Sequence, residues 1–492
     1  MSIKTERLLV NAMMLAARSF FGELFYAKDA ASGKPECSYR EKSLWQWPDI
    51  VYNAVMDMLK KNDVVEITID DLTVEGAGIG RHNGMAVFVP RALPGEMVAA
   101  KIIKLTKSYA VGRLISILQI SEDRVQPFCP VFNACGGCTL QHLSYAGQLK
   151  YKSRYVQQCM ARIGGIDIEL PAIEPCENIR GYRNKASFPV AGEPGHARAG
   201  FFAPRSHKLV ECDCPIQQPE INEVKKAVIR WANQCRIPPY NETEHSGVLR
   251  HIVARQSSAG GVMAGVVVRN EIDGKTLVDA LQEVPGIESV VVNVNPARGN
   301  VILGDDTRTV FGRDYITEEY GGLKFRASLQ SFLQVNHAQT EKLYRIALDY
   351  AGITQEDVVF DLFCGIGTLS LLAVRRARNV LGIEYEASAM RNAEENARLN
   401  GIANAQFLAG DAGEMLKKGI DTAGVPDIVI LAPPRKGCDA ALIEGIAAAS
   451  PKRVVYVSCN PATLARRGAI RQAGVQGGAA EVCGHVSAHD AR

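Results

Sequence analysis

No stretch of this 492-residue chain approaches the roughly 20 consecutive apolar residues of a membrane-spanning helix. Leu8–Ala17, with Lys4 and Arg7 before it, loosely resembles a signal-peptide core. Asn11 interrupts it and Arg18 closes it, so an amphipathic helix is expected there instead. A charge excess of one sign is also missing: 56 Lys and Arg stand against 53 Asp and Glu, a net +3. Any nucleic-acid surface must therefore be local. Missing too is the even scatter of cysteines that marks a disulfide framework. Of 13 cysteines, three crowd together as Cys129, Cys135 and Cys138. In a long chain without a clear secretory signal, such a cluster points to metal or redox chemistry. What is present is globular composition, 47% hydrophobic and 22% charged, which excludes a disordered or fibrous chain. The length suggests about three domains.

Residues 1–57 carry helix-like segments (3–28 and 50–60) and no recognisable chemistry. We read them as an extension of unknown role. From Val64 the pattern is β: Val64–Ile69, Met85–Val89, Met97–Ile103 and Tyr109–Ile117, with Gly76, Gly78, Gly80 and Asn83-Gly84 read as turns. Short, regular strands over 58–120 predict an OB-like barrel, a fold that can hold nucleic acid on one face. Residues 121–326 are mixed α+β. Their most basic part carries Arg180, Arg183, Lys185, Arg198, Arg205 and Lys208, with Tyr182, Phe188, Phe201 and Phe202 interleaved. That composition suits a single-stranded RNA surface, or an ordinary solvated sheet face. From about Ala327 to Arg466, strands and helices alternate. Strands are expected at Val358–Phe360, Val380–Ile383, Ala405–Leu408, Ile428–Leu431 and Val454–Val457, and helices at Leu369–Arg378 and Ala387–Asn400. Such alternation predicts a doubly wound α/β sheet, with ligands at the carboxyl ends of its strands.

Three segments fall at those strand ends. Asp361-Leu-Phe-Cys-Gly365-Ile-Gly367-Thr368 follows the first strand and opens a helix. Glycines there let the backbone approach a nucleoside closely. Glu384 ends the next strand, where a carboxylate can hold two ribose hydroxyls, and Asp411 follows the third. The third glycine of a dinucleotide fingerprint is missing, which favours S-adenosylmethionine over NAD. Leu431-Ala432-Pro433-Pro434-Arg435-Lys436-Gly437 and Val457-Ser458-Cys459-Asn460-Pro461 end the fourth and fifth strands. Cys459 at that rim is either a nucleophile or a packed thiol.

Together these residues resemble the RNA uracil-5-methyltransferase family. The resemblance runs from about 58 to 467 and rests on the N-terminal TRAM barrel and the Cys-x5-Cys-x2-Cys at 129–138. It rests also on Ser331-Phe-Leu-Gln334-Val-Asn336, Asp361-Leu-Phe-Cys-Gly, Pro433-Pro-Arg-Lys-Gly and Ser458-Cys-Asn-Pro. Barrel plus cysteines points to the large-subunit rRNA branch rather than the tRNA one. The resemblance implies a cytoplasmic, monomeric, RNA-binding enzyme that uses S-adenosylmethionine. It implies a [4Fe–4S] cluster on Cys129, Cys135, Cys138 and Cys214, with Cys212 a near neighbour; four thiolates by themselves would also suit zinc. It implies that Gln334, Phe363, Gly365, Thr368, Glu384 and Asp411 line the cofactor pocket and that Cys459 is the nucleophile. A thiolate adding to carbon 6 of uracil makes carbon 5 an enolate carbon able to take the methyl. A base then removes the carbon 5 proton.

Two departures stand out. Ala432 occupies the position of a family Asp that lines the pocket. The general-base Glu of the family's terminal hairpin is absent, because after Arg466 the chain turns Gly- and Ala-rich and runs to Arg492. The codons of Cys483–Arg492, read one nucleotide later, permit Val-Asp-Met-Phe-Pro-His-Thr-Thr-His-Val, the family's terminal motif. We therefore expect a reading-frame slip shortly after Ala465, an aberrant segment 467–492 without a hairpin, and an unpaired edge at Val454–Val457. Three functions compete with the rRNA enzyme: an inactive RNA-binding iron–sulfur protein, a tRNA uracil-5-methyltransferase, and a radical-SAM methylthiotransferase. The last is disfavoured because its cysteine spacing is three then two.

Overall fold

The computed structural model describes residues 59–466. The helices expected before residue 59 and the segment 467–492 lie outside them. The chain begins with five strands, β1 (Val64–Leu72), β2 (Ala77–His82), β3 (Met85–Pro90), β4 (Met97–Leu105) and β5 (Tyr109–Gln119). They close into a barrel in the order β1-β2-β3-β5-β4, with β1 pairing β4. Inward residues Ile67, Ile69, Val87, Val89, Val98, Ala100 and Ile102 alternate with outward ones and are at most 1% exposed, as a filled small barrel requires. One expectation is corrected here. Gly78 and Gly80 were read as turn residues but lie inside β2. A Cβ on Gly80 would stand 2.3 Å from the Thr68 carbonyl oxygen, and one on Gly78 2.9 Å from that of Ala92. These glycines serve close backbone approach in a tightly coiled barrel, not reversal.

Helix α1 (Tyr145–Gly164) leaves the barrel. Its start is set by Ser144, whose hydroxyl accepts from Gly147 N at 3.0 Å and donates to Asp123 at 2.7 Å; its end is set by Gly165 at φ 61°. Then come β6 (Lys185–Glu193), β7 (His196–Ala199), β8 (Phe201–Phe202), β9 (Leu209–Val210), α2 (Pro219–Gln234), β10 (Leu249–Gln256), β11 (Val262–Val268), α3 (Lys275–Leu281), β12 (Ile287–Val294) and β13 (Asp306–Gly312). Six of these strands form one sheet, β13-β12-β11-β10-β6-β7, in which only β11 and β12 run parallel, joined by α3. Both faces of this sheet are buried. Ile252, Ala254, Val262, Ala264 and Val266 pack on α2 and α3. Val253, Met263, Val267 and Val291 pack instead with the hairpin β14 (Tyr315–Tyr320)–β15 (Leu323–Ser328) and with Ile366 and Leu371 of the next domain. Period-2 alternation, apolar on both phases, is why these strands read as continuous hydrophobic runs.

The basic stretch 180–208 is only partly a surface. Tyr182 and Phe188 are 8% and 0% exposed, and Phe188 belongs to the sheet core. These two present no ring to a base, so the aromatic part of that expectation is corrected at Tyr182 and Phe188; Phe201 and Phe202 are half-buried. Lys185 is largely buried, donates to the Leu329 carbonyl at 3.3 Å, and is pushed down to about 7 by burial and then by Arg255 and Arg183.

The last domain follows α4 (His337–Ala351) and alternates β16 (Val358–Leu362), α5 (Thr368–Ala373), β17 (Asn379–Glu384), α6 (Ala387–Leu399), β18 (Ala405–Ala409), α7 (Ala412–Ala423), β19 (Ile428–Leu431), α8 (Ala440–Ala449), β20 (Arg453–Tyr456) and α9 (Pro461–Arg466). The strands are all parallel in the order β18-β17-β16-β19-β20. Alternate residues separate two cores: Phe360, Leu381, Val429 and Leu431 on one face, Val359, Val380, Ile428 and Ile430 on the other. This is the expected doubly wound α/β sheet of a SAM-dependent methyltransferase. Helix α5 is shorter than its expected span of 369–378. Arg376 N and Ala377 N both turn back to the Ala373 carbonyl, which tucks Ala377 (1% exposed) into the core and leads directly into β17. Among the described residues β20 is an edge strand.

Candidate active site and cysteine cavity

Parallel pairing brings the carboxyl ends of β17, β16, β19 and β20 to one rim, and the segments singled out from the sequence gather there. At the end of β16 the chain turns sharply. Phe363 sits at φ 68°, and the N–H groups of Phe363 and Cys364 both donate to the Ile383 carbonyl, at 2.8 and 3.1 Å. The turn is thereby tied to the end of β17, where Glu384 stands. Gly365 N donates to Glu384 Oε2 at 3.1 Å, while Oε1 accepts from Tyr385 N (2.9 Å) and Glu386 N (3.2 Å). A carboxylate has about four acceptor sites, so this one is held rigidly with capacity left for hydroxyl donors. The two glycines differ in their reasons. Gly367 (φ 80°) is needed for packing, since a Cβ would meet Ala393 at 3.0 Å and Phe407 at 3.2 Å. Gly365 (φ 58°) faces open space within 4 Å, where a ligand can approach its backbone.

The other residues expected to line the cofactor pocket fall into two groups. Gln334 and Asp411 are exposed; Asp411 uses Oδ1 to cap α7 through Gly413 N (2.9 Å) and Glu414 N (3.4 Å). Thr368 is buried (4% exposed), and its hydroxyl bonds with Tyr344 beneath the loop. Asp361 is also beneath it: 1% exposed, it accepts from Ser370 Oγ at 2.6 Å, and burial raises its carboxyl to about 7. These two shape the loop from below.

Across the rim, Ala432 N donates to the Leu362 carbonyl at 3.2 Å and its methyl is exposed, so no carboxylate faces the loop from that position. Val457 N donates to Leu431 O at 2.8 Å, after which the chain leaves β20. Ser458 Oγ accepts from Asn460 N and donates to its carbonyl, both at 3.1 Å, and Asn460 Oδ1 accepts from Ala462 N at 3.1 Å. Cys459 sits exposed at the crest of this turn. Helix α9 behind it is seated on the far end of α1: Ala465, 2% exposed, packs with Cys159 and Met160.

A second constellation lies in the central domain. Cys129, Cys135 and Cys138, close in the chain, and the distant Cys214 line one cavity of about 60 Å³ together with Cys212, Phe132 and Gln141. Gln141 accepts from Cys129 N (3.2 Å), Gly137 N donates to Cys135 Sγ (3.3 Å), and Asn222 clamps Cys214 through both its N–H (2.9 Å) and its carbonyl (3.1 Å). Burial, then the neighbouring Cys214, pushes the thiols of Cys138 and Cys212 up to about 12. Among the described residues no three His, Cys, Asp or Glu are spaced to hold a single metal ion. One tetrahedral ion would draw its thiolates to roughly 3.8 Å from each other, given metal–sulfur bonds of about 2.3 Å. In a cubane each thiolate binds its own iron, so the ligands spread around the cluster.

Two exposed side chains were missed by the sequence reading. Phe332, 75% exposed, is two residues from Gln334, and Tyr385, 71% exposed, follows Glu384. Large apolar groups left in solvent beside polar groups mark a binding surface in the structure, and the sequence carries no signal for that exposure.

Comparison with known proteins agrees with this layout. Residues 144–471 match the family profile described as tRNA (Uracil-5-)-methyltransferase, and 59–115 match the TRAM domain. A protein of Halalkalibacterium halodurans, named only as an RNA methyltransferase, is 46% identical, covering 83% of this chain and 90% of its own. One from Clostridium acetobutylicum is 44% identical with the same coverage. Among solved structures, the tRNA (uracil-54, C5)-methyltransferase of Pyrococcus abyssi, in complex with S-adenosyl-L-homocysteine, superposes with a TM-score of 0.66 at 25% identity, covering 82% of this chain and 92% of that one. The rRNA branch expected from barrel plus cysteines is corrected by these findings: the matching profile and the solved structure are both of tRNA enzymes. The physical reason is that neither feature reads a nucleotide sequence. A barrel binds backbone and stacked bases of any single strand, and a cysteine site touches no RNA base.

Proposed function

Because the chain belongs to the tRNA (uracil-5-)-methyltransferase family, we propose that its substrate is a uridine of tRNA, methylated at carbon 5. That it is a class I SAM-dependent RNA uracil-5-methyltransferase follows from the family match and from the structural likeness. The observation that carries the reading is the rim itself. An exposed thiol, Cys459, stands on the same strand-end edge as the Gly365–Glu384 pocket. Glu384 would hold the ribose hydroxyls of S-adenosylmethionine, Gly365 would admit its backbone-hugging edge, and Tyr385, Phe363 and Asp411 would border the adenine. Gln334 would also line the cofactor pocket, with Phe332 beside it as a platform on which a base extruded from its stack can lie.

The chemistry follows from these groups. The Cys459 thiolate bonds to carbon 6, and the displaced π electrons make carbon 5 an enolate carbon. Carbon 5 takes the methyl from the sulfonium, which leaves as neutral thioether. Elimination then needs a base for the carbon 5 proton. The family's terminal Glu is absent from this sequence, so the double bond re-forms and the thiolate departs only as another base or water takes that proton, and the covalent Cys459–RNA adduct accumulates meanwhile. Unmodified tRNA transcripts incubated with methyl-labelled cofactor should carry label on carbon 5 of uracil, as a covalent protein–RNA adduct or as released 5-methyluridine, and Cys459→Ala should give neither. Label at any other atom, or undiminished label in the variant, would overturn the reading.

The five thiols around one cavity support a bound [4Fe–4S] cluster, with Cys129, Cys135, Cys138 and Cys214 as ligands and Cys212 beside them. The all-thiol donor set suits such a cluster and would also suit zinc, and the iron assignment rests on the family resemblance. When bound, the cluster cross-links the segment after the barrel to the start of α2. Anaerobically purified protein should be brown with about four irons per chain; a colourless protein with one zinc would refute the cluster. We also propose a frame slip shortly after Ala465, which the DNA across the codons for Leu464 to Gly468 tests directly.

A further inference from the structure

Helix α1 touches both the RNA-type barrel and α9, the short helix that follows the turn bearing Cys459. Near its middle, Tyr151 Oη donates to the Thr73 carbonyl at 2.8 Å, and Arg154 and Gln158 reach Asp71 at 3.3 and 3.5 Å; Thr73 and Asp71 lie at the barrel's β1–β2 corner. At its far end, a Cβ on Gly164 would stand 3.2 Å from the Ala465 carbonyl of α9. Its buried side is a single stripe of Gln148, Lys152, Val156, Cys159 and Met160. The opposite side is left to solvent.

That solvent side has an unusual charge pattern. The 20 residues of α1 contain Lys150, Lys152, Arg154 and Arg162 and no Asp or Glu. Lys150, Arg154 and Arg162 are exposed. With Gln158 they fall at intervals of four residues, one ridge along the helix, each step rising about 6 Å. Arg154 is shared with Asp71, whereas Lys150 and Arg162 make no hydrogen bond or ion pair among the described residues. Isolated cations on a helix are ordinary. A one-sign ridge that runs beside a barrel of nucleic-acid-binding type and ends against the helix that follows Cys459 is a path.

We propose that the exposed ridge of α1, through Lys150 and Arg162 with Arg154 between them, is a rail for the phosphate backbone of the RNA strand, leading it from the TRAM barrel to Cys459. The inference rests on the RNA-methyltransferase reading above and adds the surface by which the strand is aligned. The rail carries no sequence information, since cations on phosphates fix register and orientation only. It fixes how far along the strand from the barrel-bound segment the reacting uridine lies, because α1 is rigid and docked at both ends.

The test is a double substitution, Lys150→Gln with Arg162→Gln, which keeps length and helix propensity and removes two charges. RNA affinity is measured by titration from low to high salt, with SAM affinity and thermal stability measured separately. Each lost contact to a single strand lowers the salt slope by about 0.7, so the log–log slope should become shallower by about 1.4 and affinity at 0.1 M salt should fall on the order of tenfold. SAM affinity should not change. A matched pair on the other face of the central domain, Arg230→Gln with Lys275→Gln, should leave the slope at its wild-type value. A wild-type slope in the α1 variant overturns the rail, and is the outcome expected if this face docks an acidic protein instead. An equal loss in the matched pair overturns it as well, by showing a net-charge effect. If the α1 variant loses slope while no RNA is ever methylated by the wild type, the rail stands and the activity reading falls. If methylation occurs and the slope is unmoved, only the rail falls.

Discussion

Cys459 and Cys138 put the same side chain into opposite surroundings. Cys459 crowns a turn at the open edge of a parallel sheet, exposed, with the chain around it bonded only to itself. Cys138 faces a cavity with four other thiols, and burial drives its proton affinity up to about 12. A thiol at the rim can meet a substrate and leave again. A thiol in the cavity is stable as thiolate only when a cation compensates several negative charges at once. The difference shows that reagent and ligand are distinguished by desolvation and by neighbours, not by residue type.

The largest test of that contrast is Cys459→Ala. Methyl transfer should fall on the order of 10⁴-fold or more, as when a nucleophile is removed from a group that acts as a unit. Iron content should be unchanged. Activity retained by this variant would place the chemistry elsewhere. The mirror experiment is Cys138→Ser. It should lose most of its iron in anaerobic purification and unfold at a lower temperature, while its affinity for SAM stays at the wild-type value. Loss of SAM binding in this variant would mean that cavity and rim are one site rather than two.

Two smaller changes sharpen the description of the rim. Glu384→Gln keeps the shape of the side chain but weakens its hydrogen bonds to hydroxyl donors. Calorimetric titration should show SAM bound about tenfold more weakly, which is ~1.4 kcal/mol. Asp361→Asn tests the buried carboxyl beneath the loop. Its folded pKa, about 7, lies above the value near 3.9 expected in the unfolded chain. Between those values the folded form binds more proton, so its contribution to stability is present at low pH and is lost as pH rises toward and through 7. The Asn variant can still pair with Ser370 and carries no charge. Its melting temperature should therefore change less between about pH 4.5 and 7.5 than that of the wild type. An identical pH profile would show that Asp361 does not titrate in this range.

Much of this was open to reading from the chain because the patterns are local. Strand–helix alternation after Ala327, the glycines at 365 and 367, Glu384 one strand later and a Cys after the fifth strand all follow from period and spacing. The misreadings came where burial depends on partners distant in sequence. Gly78 and Gly80 looked like turns because a strand glycine differs from a turn glycine only by the backbone lying against it. Tyr182 and Phe188 looked like base platforms because a basic strand of a two-faced buried sheet has the composition of an RNA surface. Phe332 and Tyr385 went unnoticed because exposure of an aromatic ring has no sequence signature.

The sequence by itself determined the parallel sheet and the position of the glycine loop at its first strand end, since each follows from backbone preference and short-range spacing, whereas the exposure of Cys459 came from the structure. Tertiary structure alone decided three further things. It brought Cys214 across some 75 residues to the Cys129–Cys138 turn. It sank Asp361 and Thr368 beneath the loop whose motif they spell. It seated α1 between the barrel and α9, so that a helix with no motif of its own links the first domain to the last. These are consequences of packing, and packing is set by which surfaces water is driven from over the whole chain, which no short window of residues encodes.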